Sequence, residues 1–447
     1  MTLNRRQLLT TLGAAAVASR PAYPLAGAAA PRLGRPLVSG AGAVDWDAVR
    51  ELFPLAPDWT HLAAFLFVSH PRPVAAAIEE FRRRIDSDPM WIEAAAFTDA
   101  EGRPFHKMKA AIADYVGGAP DELALTSNTT TALAVAYHGL RIRADQEVLT
   151  TEHDHYVHHE SIRYACDRSG AAVRRVALYD RAAEASADEM TARLAHAIGP
   201  KTRAVGMTWV HSSTGVKAPV PEIADAVARA NRGRAEADRC LLIVDGVHGF
   251  ANQDVEVAKL GADFFAAGMH KWLCAPRGTG FLWGRADAWP HLRPTVPSFD
   301  PDQQETWQAW MDRRPVAPTR ASFVSPGGFV AYEHFLAVPA AIALHTEIGR
   351  ARVAARVAEL NGAFRDAAAK LPNVTLVTPR DPSVSGGLTC FEVHGLSAEE
   401  VTQRFRARRI STSSSPYRVS YPRVSAGFMN SPQDLEVALR ALRAMTP

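Results

Sequence analysis

Leu241-Leu242-Ile243-Val244-Asp245-Gly246-Val247-His248 decides how this chain reads, together with Gly268-Met269-His270-Lys271-Trp272 downstream of it. The first stretch is four apolar residues ending in a carboxylate. That is the pattern of a strand buried on both faces that delivers Asp245 at its end. The second follows another short apolar run, 264–267, and delivers Lys271. Outward from this pair the alternation repeats. Strands are predicted at 122–126, 147–150, 172–178, 203–210, 241–245, 264–267 and 280–283, with helices at 130–140, 157–168, 190–198 and 221–231. Short apolar strands separated by helices predict an α/β fold with a mainly parallel seven-stranded sheet covered on both faces. Ligands of such sheets collect at the C-terminal ends of the strands. Thr126, Asp245 and Lys271 all fall there.

A lysine and a carboxylate delivered by neighbouring strands suit pyridoxal phosphate. The amine forms a Schiff base with the cofactor aldehyde, and the carboxylate keeps the pyridine nitrogen protonated so that the ring accepts electrons. Either residue alone reads as well as a surface charge or a turn residue. The surrounding residues reverse that balance. Thr126-Ser127-Asn128-Thr129-Thr130-Thr131 lies between a strand and a helix, where hydroxyls and free amides form an anion site; ordinary helix capping is the alternative. Glu152-His153-Asp154-His155-Tyr156 follows the next strand, and His155 is the candidate for stacking on the ring. His153, His155, His158 and His159 lack the spacing of a metal site. His211-Ser212-Ser213-Thr214-Gly215 and His248 offer donors to a phenolic oxygen. His270, beside the lysine, is placed to reach a phosphate. Arg423, in Arg423-Val424-Ser425, is the candidate clamp for a substrate carboxylate.

At 447 residues the chain exceeds one ordinary core, so two lobes are expected. A Pro-rich aromatic loop at 294–326 interrupts the α/β pattern. Beyond it, helices are predicted at 330–345, 350–370 and 398–408, strands at 374–377, 388–393 and 418–421, and a last helix from Pro432. The division expected is a large domain at 61–325 and a small α+β domain at 326–447, preceded by an arm at 31–60. With 47% hydrophobic and 22% charged residues, the composition points to neither a disordered chain nor a multi-span membrane protein.

The first 30 residues carry Arg5, Arg6 and Arg20 and no acid; without them the formal charge falls from +3 to zero. A neutral mature chain gives no electrostatic case for nucleic acid or an anionic membrane. Asn4-Arg5-Arg6-Gln7-Leu8-Leu9, a modest apolar run and small residues at 26–30 resemble a twin-arginine export signal. The expected location is therefore periplasmic or secreted, with a cytoplasmic chain bearing an uncleaved N-terminus as the alternative. Cys166, Cys240, Cys274 and Cys390 form no C-x-x-C pair, which speaks against structural zinc; Cys166 and Cys240 read as core residues.

These motifs resemble the class V aminotransferase-type enzymes, the fold-type I group that includes cysteine desulfurases and isopenicillin N epimerase-like proteins. Asp245-Gly-Val-His248 and His270-Lys271-Trp272 carry the likeness most strongly, and the epimerase-like branch fits best. The resemblance implies Lys271 as Schiff-base lysine and proton shuttle and Asp245 at the pyridine nitrogen. It implies His155 on the ring, and His248 and Ser212 at the phenolic oxygen. Thr129, Thr130 and His270 would hold the phosphate, Arg423 would hold the substrate carboxylate, and the protein would be a homodimer. Two departures stand out. The loop Ile410-Ser-Thr-Ser-Ser-Ser-Pro416 lacks the desulfurase cysteine, so persulfide chemistry is disfavoured. Phe329 stands where relatives often carry a threonine that reaches the neighbouring subunit's phosphate.

The expected activity is a transferase or lyase acting on an amino acid or a derivative through its α-carbanion. Epimerisation, or a non-catalytic binding protein on the same fold, is the alternative. A Rossmann-type dehydrogenase is disfavoured because 126–132 contains no glycine.

Overall fold

The computed structural model describes residues 36–446, apart from 41, 98–102 and 317. The segment read as an export signal lies outside the described residues. The described residues fall within one compact unit.

Its centre is a seven-stranded sheet made of β1 (Leu123–Thr126), β2 (Glu147–Thr151), β3 (Ala172–Val176), β4 (Thr202–Thr208), β5 (Leu241–Asp245), β6 (Phe264–Gly268) and β7 (Gly280–Gly284), in the order β1-β7-β6-β5-β4-β2-β3. The order doubles back on itself, as helical crossovers require. Only β7 runs against the rest, antiparallel to both β6 and β1. The connection from β6 to β7 is therefore a short return, 269–279, and Lys271 rides on it.

Both faces of the sheet are covered, and alternate residues of each strand enter different cores. Leu242, Val244, Phe265 and Ala267 pack into one cluster, Leu241, Ile243, Phe264 and Ala266 into the other. The register aligns the functional edge. Thr208 pairs with Asp245, and Asp245 with Ala266; Thr126 pairs with Gly280, and Gly280 with Gly268.

A four-stranded antiparallel sheet follows, from β8 (Val374–Leu376), β9 (Thr389–Val393), β10 (Ser413–Ser414) and β11 (Pro422–Val424), in the order β10-β11-β9-β8. Cys390 of β9 opposes Arg423 of β11. The N-terminal segment is tied to this part of the molecule: Thr60–His61 pairs in parallel with Ile410–Ser411, Ala63 bridges to Ser425, and Arg50 pairs with Asp434.

Several expectations are corrected. The arm expected at 31–60 contains the helix Trp46–Glu51. Helices Arg72–Ser87, Trp91–Phe97 and Pro104–Val116 precede β1 and had no counterpart in the reading. The loop at 294–326 holds the helix Gln304–Asp312. The helix expected at 330–345 is two, Tyr332–Leu336 and Val338–Ile348, divided where Pro339 has no N–H to give. The strand expected at 418–421 lies at Pro422–Val424 instead, where the pleat faces β9.

Gly246, just beyond β5, is required by close approach: a Cβ there would lie 1.7 Å from the Phe265 ring. Gly246→Ala is expected to destabilise the protein by about 2 kcal/mol or more through overpacking, read as a lowered thermal midpoint; an unchanged midpoint would contradict this packing.

Candidate active site

Asp245 is buried at the end of β5, and its Oδ1 accepts from the Val247 N–H at 3.1 Å. Burial pushes its carboxyl well above the usual range, offset by that N–H and by Lys271, while Asp154 opposes ionisation further. Asp154 is equally buried. Its Oδ2 accepts from Thr150 Oγ1 (2.7 Å) and the Thr151 N–H (2.8 Å), and its Oδ1 from the Thr208 N–H (2.7 Å). Burial opposes ionisation here too, yet His158, His211 and the Thr150 hydroxyl hold the group down at about 2. One carboxylate thus pins the ends of β2 and β4, and Thr208 is the strand partner of Asp245. Asp154 positions these strand ends, a role that its place among histidines in a loop does not mark in the sequence.

Lys271 is half-buried on the return between β6 and β7. The return is closed by Met269 N–H to Thr279 O (3.0 Å) and Ala275 N–H to Met269 O (3.1 Å). Its Nζ lies 3.3 Å from Nε2 of His248. Burial lowers the Lys271 ammonium below the ordinary lysine range; Asp245 counteracts this and Arg423 reinforces it. His248 is pushed far down by burial, with Lys271 and Arg423 adding to the effect. The imidazole is therefore neutral, with Nε2 facing the lysine. Its buried Nδ1 has no hydrogen-bond partner.

The stretch read as an anion site lies at the start of the helix Thr129–Gly139. Asn128 caps the helix by accepting from the Thr131 N–H at 2.9 Å. Thr129 Oγ1 accepts from the Gly268 N–H at 2.8 Å, which leaves its own O–H to donate. That bond joins the helix to the end of β6. Gly268 is needed there, since a Cβ would come within 2.9 Å of the His270 ring and 3.3 Å of Thr129 Oγ1. Nδ1 of His270 is buried without a partner. Thr130 is exposed in the first turn.

The opposite wall comes from two distant segments. His155 caps the helix Tyr156–Ser169 and meets the Tyr417 ring edge-on, with centroids 5.8 Å apart. Lys271 and Arg423 both lower its pKa, after burial, which places it in the same electrostatic neighbourhood. The Tyr417 hydroxyl lies 2.7 Å from Ser212 Oγ. Arg423 is buried over the Phe65 ring, 4.3 Å from its centroid. It donates to Ser212 O (3.0 Å), Ser413 Oγ (2.9 Å) and Ser414 O (3.0 Å), and only its Nε lacks a partner. The guanidinium is thus held rigid with its Nε–H unpartnered. Tyr417 and Phe65 were not read from the sequence, because each meets the site only through long-range packing.

His158 and His159 turn to different partners, Tyr137 Oη at 2.7 Å and Thr151 O at 2.8 Å. Among the described residues no group of three His, Cys, Asp or Glu side chains could hold a metal ion, and no helix is long and apolar enough to cross a membrane. All four cysteines are free and buried.

The donors fit pyridoxal phosphate. An unpartnered imidazole nitrogen and a free hydroxyl stand at a helix N-terminus, a buried carboxyl lacks a full counter-charge, and a neutral imidazole faces the amine. The sequence pattern of the class-V aminotransferases matches residues 69–425. The chain is 28% identical to isopenicillin N epimerase of Streptomyces clavuligerus over 412 residues, covering 90% of this chain and 98% of that protein. It is 27% identical to a probable cysteine desulfurase of Methanothermobacter thermautotrophicus over 56% of this chain and 58% of that protein. Among solved structures, the cystine C–S lyase C-DES in complex with cysteine persulfide superposes with a TM-score of 0.75 at 20% identity, over 88% of this chain and 100% of that one. The cysteine desulfurase of Thermococcus onnurineus NA1 superposes with a TM-score of 0.72 at 18% identity, over 88% and 96%. These structural likenesses establish the fold; the match over most of the chain's length establishes the family. This chain belongs to the class-V aminotransferase family and is a pyridoxal-phosphate-dependent enzyme.

Proposed function

We propose that the protein acts on a free amino acid or a small amino-acid derivative at its α-carbon, as a transferase or lyase. The observation that carries this reading is the pairing of Lys271, lowered in pKa and facing a neutral His248, with a rigid Arg423 whose Nε is free. One group handles a proton; the other fixes a carboxylate next to it. When bound, pyridoxal phosphate supplies an aldehyde and an electron-accepting ring that make a substrate α-proton acidic. Asp245 holds the proton on the pyridine nitrogen. Thr129, Thr130 and His270 bind the phosphate. His248 Nδ1–H and the Ser212 hydroxyl are available to the phenolic oxygen, and His155 covers the ring against water. Arg423 orients the substrate by its carboxylate, and Lys271 Nζ takes and returns the α-proton.

Epimerisation is the second reading. It is favoured by the likeness to isopenicillin N epimerases across nearly the whole chain. Desulfurase chemistry through a loop thiol is disfavoured, because residues 410–416 contain no cysteine.

A homodimer is part of this proposal. An apolar cavity of about 460 Å³ opens beside Ser127 and Thr131 and is lined by Met90, Phe299, Trp307 and Phe329. Phe329 is 86% exposed, far more than a lone chain usually leaves an aromatic. A second copy covering this face would bury Phe329 next to the cradle in place of a hydrogen-bonding threonine. Export through the twin-arginine route is proposed on the N-terminal sequence alone.

Three outcomes are expected. The purified protein should show a visible band that borohydride bleaches, with the reduced adduct on Lys271 by peptide mapping; in Lys271→Ala both the adduct and turnover should vanish, and an adduct on another lysine would overturn the assignment. Cofactor capture needs the unprotonated amine, so its rate should rise with pH and level off below the ordinary lysine range. Since Asp245 is the group that raises the Lys271 pKa, Asp245→Asn should move that plateau to lower pH, and a shift upward would contradict the coupling. Phe329→Asp should turn a dimer into a monomer in sedimentation; a dimer that survives would place the interface elsewhere.

A further inference from the structure

A second cavity, of about 240 Å³, lies on the helix Arg350–Ala368, between it and the segment around Ser385. None of its lining residues belongs to the site described above. Two cations line it, and neither forms an ion pair with an acid among the described residues. Arg365 is 3% exposed. Its Nη1 donates to Gly386 O at 3.3 Å and, at the limit, to Thr389 Oγ1 at 3.5 Å, while Nε has no partner. The carboxylate that acts on it, Asp366, is exposed and engaged by Arg380 at 2.8 Å. Burial consequently lowers the guanidinium to about 10.

Lys217 is half-buried, and its Nζ donates to two neutral acceptors, Gln253 Oε1 (3.2 Å) and Pro382 O (3.3 Å). An ammonium has three N–H groups, so one remains. Burial lowers this group as well, with Asp381 opposing; the Asp381 carboxylate is exposed and accepts from the Ser383 N–H. Ser385 completes the set: it is buried, and its Oγ has no partner. One acid, the exposed Asp254, also lines the cavity and works against an anion.

Buried donors without acceptors are costly, and a buried cation without a counter-charge more so. Both costs are offset by one ligand that carries negative charge and several acceptor oxygens. We propose that this cavity is an anion site for a phosphate-sized oxyanion, held by Lys217, Ser385 and Arg365. The alanines at 351, 354, 355 and 358 keep the helix wall low enough to admit it. The site also abuts the catalytic segment, since Asn252 lines the cavity and its Nδ2 donates to His248 O at 2.9 Å.

The test is calorimetric titration of the cofactor-loaded full chain with inorganic phosphate, against chloride at matched ionic strength. With cofactor bound, the Thr129–His270 cradle is filled. Saturable binding is expected, weakened at least tenfold by Lys217→Gln and by Ser385→Ala. Phosphate should also raise the thermal midpoint of the parent protein and not that of Lys217→Gln. Arg365→Met removes a backbone contact as well and is expected to abolish binding if it folds; the Lys217 and Ser385 variants decide the matter if it does not. Absence of saturable heat would overturn the proposal. So would binding that survives Lys217→Gln and is lost in Arg423→Gln, because that anion would sit in the active site.

Discussion

The structure depends on one buried charge, the Asp245 carboxylate at the closed end of β5. Burial raises its pKa, and the Val247 N–H and the Lys271 ammonium favour its ionised form. Lys271 is displaced the other way by the same burial. Each group therefore lacks the solvent that would normally stabilise its charge, and each relies in part on the other. On the proposed reading, Asp245 would hold the protonated ring nitrogen of pyridoxal phosphate and Lys271 would meet its aldehyde, which would relieve both groups at once. Desolvation costs stability in the empty protein and prepares two groups for chemistry.

The sheet sets the distances on which this depends. Aligning Thr208, Asp245 and Ala266 in one row puts the acid level with the end of β6. Reversing β7 keeps the chain from Gly268 to Gly280 in a short return, so Lys271 cannot drift along a crossover helix. Asp154 fastens β2 to β4, and Thr129 fastens the helix Thr129–Gly139 to β6. Arg423 is delivered by another sheet but anchored back to Ser212 O, which ties it to the large sheet's edge.

Much of this was legible in the sequence. The strands from β1 to β7 were readable because residues buried on both faces are apolar throughout, and candidate site residues could be picked out because α/β sheets collect polar groups at one edge. The N-terminal helices were not. Arg72–Ser87 opens on Pro71 and Pro73 and buries only Pro73 and Val74 fully, so few of its residues read as core. The strand at 418–421 was misplaced by a few residues because its pairing with β9, not its own composition, fixes its position. Tyr417 and Phe65 share that property: nothing local sets a tyrosine after Pro416 apart, and only folding brings it to Ser212.

The central claim is that Lys271 moves the α-proton of an amino acid held by Arg423. Incubating the loaded enzyme with individual L-amino acids in deuterium oxide and following the α-proton signal by NMR tests this whatever the final product is. The account predicts loss of the α-proton signal for at least one amino acid, abolished in Lys271→Ala and strongly slowed in Arg423→Gln. Undiminished exchange in Lys271→Ala, or no exchange with any amino acid by a protein whose cofactor is bound at Lys271, would contradict it.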